Sequence, residues 1–325
     1  MTEFHVLRST DEWAALYGQA QKPSVVSIGN FDGLHRGHQK ILRRVVERAP
    51  SYGALAAAIT FDPHPLKVLR PEQAPPLLQT LEQKVAGFKS LGLDAAVVLN
   101  FNVHLASLTP EEFVHQTLVE TLGTRAVLVG RSFRFGHKQA GSATTLRELG
   151  LQFGIEVEIV EPVTVDGEVV SSSLVRAAVG QGRVARAEQL LGRPFSLTGP
   201  VRRGSGRGAT IVVPTLNVAP EQELLPATGV YATETLVGGR WYRSATNIGK
   251  RPTFDGGALS VESHLFEFSE TVTGGRLEVR FRERLRDERK FPDAAALREQ
   301  IAADLRQTRE FFKRMDASAP AARTS

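Results

Sequence analysis

Ten residues near the start of the chain carry the densest chemistry: Gly29-Asn30-Phe31-Asp32-Gly33-Leu34-His35-Arg36-Gly37-His38. Glycines let backbone N–H groups approach a phosphate with no Cβ in the way. His35 and His38 are three apart, so on a helix both imidazoles face one anion. If a helix starts there, its N-terminus adds free donors and partial positive charge. Such a site can stabilise charge that builds on phosphates when an α-phosphorus is attacked, with no covalent intermediate. Ser171-Ser172-Ser173-Leu174-Val175-Arg176 offers hydroxyls and a guanidinium suited to phosphate oxygens, although a helix cap with spare serines reads the same way.

Two further groups stand in the second half. Arg203-Gly204-Ser205-Gly206-Arg207-Gly208 is a Gly-rich loop with two arginines and can wrap a phosphate. It precedes Pro214-Thr215-Leu216-Asn217, where Thr215 and Asn217 would share a strand face. Two neutral oxygen ligands plus nucleotide phosphates make a reasonable Mg²⁺ site. In Val261-Glu262-Ser263-His264-Leu265, alternation puts Glu262 and His264 on one face. A carboxylate there could take a proton from a substrate hydroxyl during phosphoryl transfer. Pattern alone favours reading these last segments as a hairpin turn and a solvated strand face.

Positioning the first group requires a strand feeding a helix, and the sequence supplies that series. Strands are expected at Val25–Ile28, Ala56–Phe61, Ala95–Leu99, Ala126–Gly130 and Val157–Val160. Helices are expected at His38–Ala49, Gln79–Leu91, Pro110–Leu122 and Thr145–Phe153. This alternation predicts a Rossmann-like α/β domain with a parallel sheet, whose ligands bind at the carboxyl ends of the strands. From Phe195 the pattern becomes short strands broken by Gly and Pro: Leu197–Arg203, Thr210–Val218, Gly229–Val237, Trp241–Asn247, Ser260–Phe268 and Arg276–Phe281. Six such strands predict a small antiparallel β-barrel, closed by a terminal helix at Asp293–Lys313 with the stripe Leu297, Ile301, Leu305, Phe312. The expected domains are 1–185 and 186–315, with 316–325 a disordered tail.

Composition narrows the function classes. The chain has 325 residues, 42% of them apolar, with 40 Lys+Arg against 35 Asp+Glu and no cysteine. Two domains fit that length. The absence of cysteine excludes disulfides, thiolate metal sites and a Cys nucleophile. No apolar run nears the roughly 20 residues of a membrane span, and the mixed, charged start is no signal peptide. The expected setting is cytoplasmic, without a membrane partner. A basic nucleic-acid-binding barrel would draw on Arg202–Arg207 and Arg276–Lys290, but it lacks an aromatic stacking set, so no nucleic-acid partner is expected.

The string GNFDGLHRGH resembles the bacterial bifunctional riboflavin kinase/FAD synthetase family, within the HxGH nucleotidyltransferases. Phe61-Asp62-Pro63-His64-Pro65, Gly130-Arg131-Ser132-Phe133-Arg134-Phe135-Gly136 and Leu191-Gly192-Arg193-Pro194-Phe195 extend the resemblance, as do Asn247–Phe254 and Val261–Leu265. The resemblance implies phosphorylation of riboflavin to FMN, then adenylylation of FMN to FAD, with ATP as co-substrate and Mg²⁺ as metal. It implies ATP contacts from Gly29, Asn30, Phe31, Gly33, His35, His38, Ser172, Ser173 and Arg176. It implies flavin or nucleotide contacts from Asp32, Phe61, Asp62, Pro63, His64, Ser132 and Phe133. In the kinase half it implies Gly204, Gly206, Arg207 and Gly208 at the phosphates, Thr215 and Asn217 at Mg²⁺, and Glu262 as base. The chain departs from the family pattern at Ser132 (Asp or Asn), Ser173 (Thr), Val212 (Gly) and Leu216 (Ala). Ser132 and Val212 leave open a single-activity member in which one module only binds ligand.

Overall fold

The computed structural model describes residues 3–18, 22–202, 215–250, 259–270, 272 and 274–318. Among these, two compact units divide the chain, Met1–Ser172 and Ser173–Ser325.

The first unit is built on a six-stranded parallel sheet. Its strand order is His5–Leu7, Ala95–Asn100, Leu55–Asp62, Ser24–Ile28, Thr124–Gly130, Glu156–Val160. All five predicted strands are present. Alternation splits their side chains between two cores. Val26, Ile28, Ile59, Val97 and Val127 pack with Trp13, Phe113 and Leu118 on one face. Val25, Ala58, Ala96 and Leu128 pack with Leu42, Val45 and Phe88 on the other. Burial on both faces is what a parallel sheet needs, and it explains the near-continuous apolar runs. The chain runs outward from Ser24–Ile28 through two strands, then returns to Thr124–Gly130 on the opposite side. That reversal opens a crevice at the carboxyl ends of the two strands.

Helix boundaries follow local capping. The helix expected from His38 starts at Arg36, because the His35 side chain caps it by accepting from the His38 N–H. The next begins at Leu81, where Thr80 and Gln83 form a capping box. The segment expected as one helix at Pro110–Leu122 is α-helical over Pro110–Phe113 and π-helical over Val114–Thr121.

The second unit holds a closed antiparallel barrel. Around it run Phe195–Arg202, Leu216–Val218, Leu259–Leu265, Arg240–Lys250, Gly229–Val237 and Arg276–Asp287. Its interior is partly polar. Thr233 Oγ1 lies 2.8 Å from Ser244 Oγ and 2.6 Å from Thr246 Oγ1. Ser244 Oγ also meets Thr235 Oγ1 at 2.8 Å, and Thr246 Oγ1 meets Ser263 Oγ at 2.7 Å. All five residues are fully buried, so each hydroxyl satisfies another.

At Gly199 the backbone of a second segment crowds the strand: a Cβ there would lie 1.8 Å from the Ala219 carbonyl oxygen. Gly199→Ala is therefore expected to destabilise the protein by about 3 kcal/mol through forced backbone shifts. A urea titration should show this as a lower midpoint at unchanged slope.

The terminal helix spans Ala294–Ser318, with the Asp293 carboxylate accepting from the Ala296 N–H. Its buried line is Asp304, Thr308 and Phe312, rather than the apolar stripe alone. Leu297, Ile301 and Leu305 are half-buried. The polar residues tolerate this position because they are paired. Asp304 takes a bidentate pair from Arg286 at 2.8 and 2.7 Å, and Thr308 Oγ1 donates to the Asp304 carbonyl. The helix also continues through Asp316–Ser318, assigned from sequence to a tail, with Asp316 ion-paired to Arg243 at 2.5 Å.

Candidate functional sites

The first site sits where the strand Ser24–Ile28 ends. Phe31, Gly33 and Leu34 all have positive φ, at 48°, 81° and 44°. The chain is thereby coiled tightly before the helix Arg36–Arg48 begins. Two hydrogen bonds from the segment before the next helix hold the coil. The Gln79 amide donates to the Phe31 carbonyl at 3.0 Å, and the Leu78 N–H donates to the Asp32 carboxylate at 3.0 Å. Asp32 is thus buried and structural in its contacts. Gly29 N–H donates to the Ile59 carbonyl, tying the loop to the adjacent strand.

The structure brings His35 and His38 together. Their rings stack at 3.6 Å with 19° between planes, over the first turn of the helix. Gly37 makes the stack possible, since a Cβ there would lie 3.1 Å from the His35 ring. His35 Nδ1 accepts from the His38 N–H at 3.3 Å. In its neutral form His35 therefore carries its proton on Nε2. Burial pushes His38 well below its ordinary value, and His35 and Lys84 push it the same way. His38 Nδ1 is buried with no hydrogen-bond partner among the described residues. Phe31 packs edge-on against the His38 ring at 5.3 Å.

Other predicted residues gather at the same edge of the sheet. Asn30 Nδ2 lies 3.2 Å from His64 Nε2, which links the loop to the turn after Leu55–Asp62. His64 Nδ1 caps the short helix Pro65–Leu69 by accepting from the Leu66 N–H. Phe61 is half-buried against Phe101, while Asp62 and Pro63 are exposed. Ser132 is exposed just beyond the strand Thr124–Gly130, and Phe133 stacks on Phe135 at 5.4 Å. Ser172 opens a helix running to Gly180 and donates to the Asp32 carbonyl at 2.8 Å. Exposed Ser173 and half-buried Arg176 follow on that helix and fall in the second unit.

Lys84 was missed at the sequence level. Its Nζ donates to Thr60 Oγ1 at 3.3 Å, and Thr60 Oγ1 donates to the Asn30 carbonyl at 3.3 Å. Burial lowers the Lys84 ammonium from its ordinary value, while Asp32 and Asp62 raise it. A lysine in an otherwise amphipathic helix gives no signal of this, because only the tertiary fold brings it against the loop.

The second site lies on the barrel. Asn217 pairs with Glu262, and Glu262 pairs with Asn247 on the next strand. Directly paired residues project to the same side of a sheet. The three side chains therefore form one row across three strands. Val261, Ser263 and Leu265 are buried on the opposite side, as alternation predicts. Asn217 is itself buried and Glu262 half-buried. The strand expected over Thr210–Val218 is present at Leu216–Val218, so Thr215 stands just before it and is exposed. Thr215 thus lies outside the paired strand whose face it was expected to share with Asn217. Gly204, Gly206, Arg207, Gly208 and Val212 lie outside the described residues. Asn247 is the member of the row given no role from sequence.

Comparison with known proteins agrees with this division. The FAD synthetase family model matches residues 18–174, and the riboflavin kinase family model matches residues 191–312. A bifunctional riboflavin kinase/FMN adenylyltransferase from Pseudomonas fluorescens is 39% identical, covering 88% of this chain and 92% of that protein. Proteins of the same name from Bacillus subtilis and Escherichia coli K12 are 35% and 34% identical, over 92% and 90% of this chain and 96% and 94% of theirs. A solved structure described as a macrolide-efflux protein from Streptococcus pneumoniae is 29% identical with a TM-score of 0.83, covering 94% of this chain and 98% of that one. Among the described residues no helix is long and apolar enough to cross a membrane. Identity above 30% over nine-tenths of the chain, with both family models matched, makes this protein a member of the bifunctional riboflavin kinase/FMN adenylyltransferase family.

Proposed function

We propose that this chain phosphorylates riboflavin to FMN in its barrel module and adenylylates FMN to FAD in its parallel-sheet module. The observation that carries this reading is that each family match contains its own built constellation: the His35–His38 stack in one, the Asn217–Glu262–Asn247 row in the other. A chain with one working module is not favoured, because both matches are present. We place the functional boundary near residue 185, with the adenylyltransferase domain before it and the kinase domain after it.

In the first reaction Glu262 accepts the proton of the riboflavin 5′-hydroxyl as that oxygen attacks the γ-phosphorus of ATP, and ADP leaves. Asn217 and Thr215 supply oxygen donors of the kind Mg²⁺ accepts. Mg²⁺ takes few protein ligands and keeps several waters, so the ion's other ligands would be phosphates and water. When bound, Mg²⁺ neutralises charge on the β- and γ-phosphates. Gly204, Gly206, Arg207 and Gly208 would complete the phosphate contacts.

In the second reaction an FMN phosphate oxygen attacks the α-phosphorus of ATP, and the bond to pyrophosphate breaks. His35 directs its Nε2–H at the phosphates, and His38 adds a neutral imidazole beside it. Gly29, Asn30, Phe31 and Gly33 shape the loop, while Ser172, Ser173 and Arg176 contribute from the helix that follows. Phe61, Asp62, Pro63, His64, Ser132 and Phe133 border the flavin or nucleotide, and Asp32 holds the loop in place. The reaction belongs in the cytoplasm, with riboflavin, FMN and ATP as ligands and neither nucleic acid nor membrane as partner.

The purified protein incubated with riboflavin, ATP and Mg²⁺ is expected to yield FMN and then FAD by chromatography. Starting separately from riboflavin and from FMN distinguishes the modules. FMN with no FAD would remove the adenylyltransferase assignment, and FAD only from added FMN would remove the kinase assignment.

A further inference from the structure

We propose that Lys84 is a positioning residue of the adenylyl-transfer site, joining three elements around the phosphate loop. The inference rests on the adenylyltransferase reading of the first unit.

Lys84 begins a continuous chain of contacts. Its ammonium donates to Thr60 near the end of one strand, Thr60 donates to the Asn30 carbonyl in the loop, and Asn30 meets His64 beyond the strand end. Helix, strand, loop and turn are thus held together by one cation and two polar side chains. A lysine whose stem is half-buried between elements is fixed in place far more firmly than one on a solvated face.

Its charge is also placed where the reaction needs it. Asp32 and Asp62 both act on Lys84. The ammonium offsets part of the negative charge that those carboxylates bring beside a site that must take a triphosphate and a flavin phosphate. The groups acting on His38 are His35 and Lys84. The ammonium discourages a second positive charge on the imidazole. The site's fixed charge then resides on the ammonium, and the His38 imidazole serves as an oriented neutral partner. A preorganised charge of this kind needs no rearrangement as the transition state forms.

The test uses full-length Lys84→Met and Lys84→Arg variants. Lys84→Met should lower kcat for FMN adenylylation about 100-fold. Its riboflavin kinase rate should stay within about twofold, because the barrel forms its own unit. The NMR titration midpoint of His38 should rise in Lys84→Met. Lys84→Arg should return the midpoint toward wild type and recover most of the rate. Wild-type adenylylation in Lys84→Met would overturn the proposal. So would parallel loss of both activities with an unmoved His38 midpoint, which marks a purely structural role. If the wild-type protein itself makes no FAD, the adenylyltransferase reading falls. The His38 titration then decides the Lys84 coupling alone: a raised midpoint supports it, and an unmoved one overturns it.

Discussion

Replacing Glu262 by Gln is expected to lower FMN formation about 1,000-fold, within the range that a general base contributes. That corresponds to about 4 kcal/mol of transition-state stabilisation. Gln keeps the shape and the place of the side chain in the row with Asn217 and Asn247. What it loses is the ability to take a proton. KM for ATP should therefore change little while kcat falls, the signature of an interaction made only in the transition state. Adenylylation of added FMN should be spared, because His35 and His38 belong to the other compact unit. Parallel assays of the two half-reactions check this. Loss of both activities together would show that the residues have been divided wrongly between the sites.

His38→Ala is expected to do the reverse, lowering adenylylation by about 100- to 1,000-fold, as loss of one oriented stabilising group does elsewhere. The stack with His35 at 3.6 Å is lost with the ring, so part of the effect comes through His35, although the backbone N–H at position 38 still donates to His35 Nδ1. pH separates the contributions. Burial and the neighbouring His35 and Lys84 hold His38 neutral well below its ordinary value of 6.5. The wild-type rate should stay flat as pH falls through 6.5 and decline only in more acidic solution, when the imidazole gains its proton. A wild-type profile that already bends near 6.5 would contradict this environment. The same shift has a stability side. The unfolded chain takes up the proton at about 6.5 while the folded one does not, so this contribution to stability is present above that pH and declines below it.

The sheet was legible because its signals are local. Val25–Ile28, Ala56–Phe61, Ala95–Leu99, Ala126–Gly130 and Val157–Val160 are apolar runs bounded by breakers, and each is a strand within two residues. The edge strand His5–Leu7 was not anticipated, since three residues with a single buried side chain carry no periodicity. The terminal helix shows the opposite limit. Its phase was read from Leu297, Ile301 and Leu305, yet the buried line runs through Asp304 and Thr308. Periodicity counts apolar residues and cannot see that Arg286, far away in sequence, neutralises an aspartate.

The sites divide in the same way. The His35–His38 pair was legible from its spacing, but the stack itself comes from His35 acting as the extended cap that accepts from the His38 N–H. The Asn217–Glu262–Asn247 row was legible only in part. Alternation gave the face of Glu262, but the register that sets three strands side by side is a property of the closed barrel. Lys84 was illegible for a related reason: its partners Thr60, Asp32 and Asp62 come from other elements, and nothing in the helix itself marks it.

The hydroxyls inside the barrel bear on how this sequence can drift. Thr233, Thr235, Ser244, Thr246 and Ser263 satisfy one another in a chain closed to water. Changing Thr246 to an apolar residue strands the Ser263 oxygen, a loss of about 1–3 kcal/mol, whereas changing both to apolar residues of the same shape can be nearly neutral. Homologous barrels should therefore differ at these positions in correlated pairs, so that Thr246 and Ser263 would be lost together or kept together.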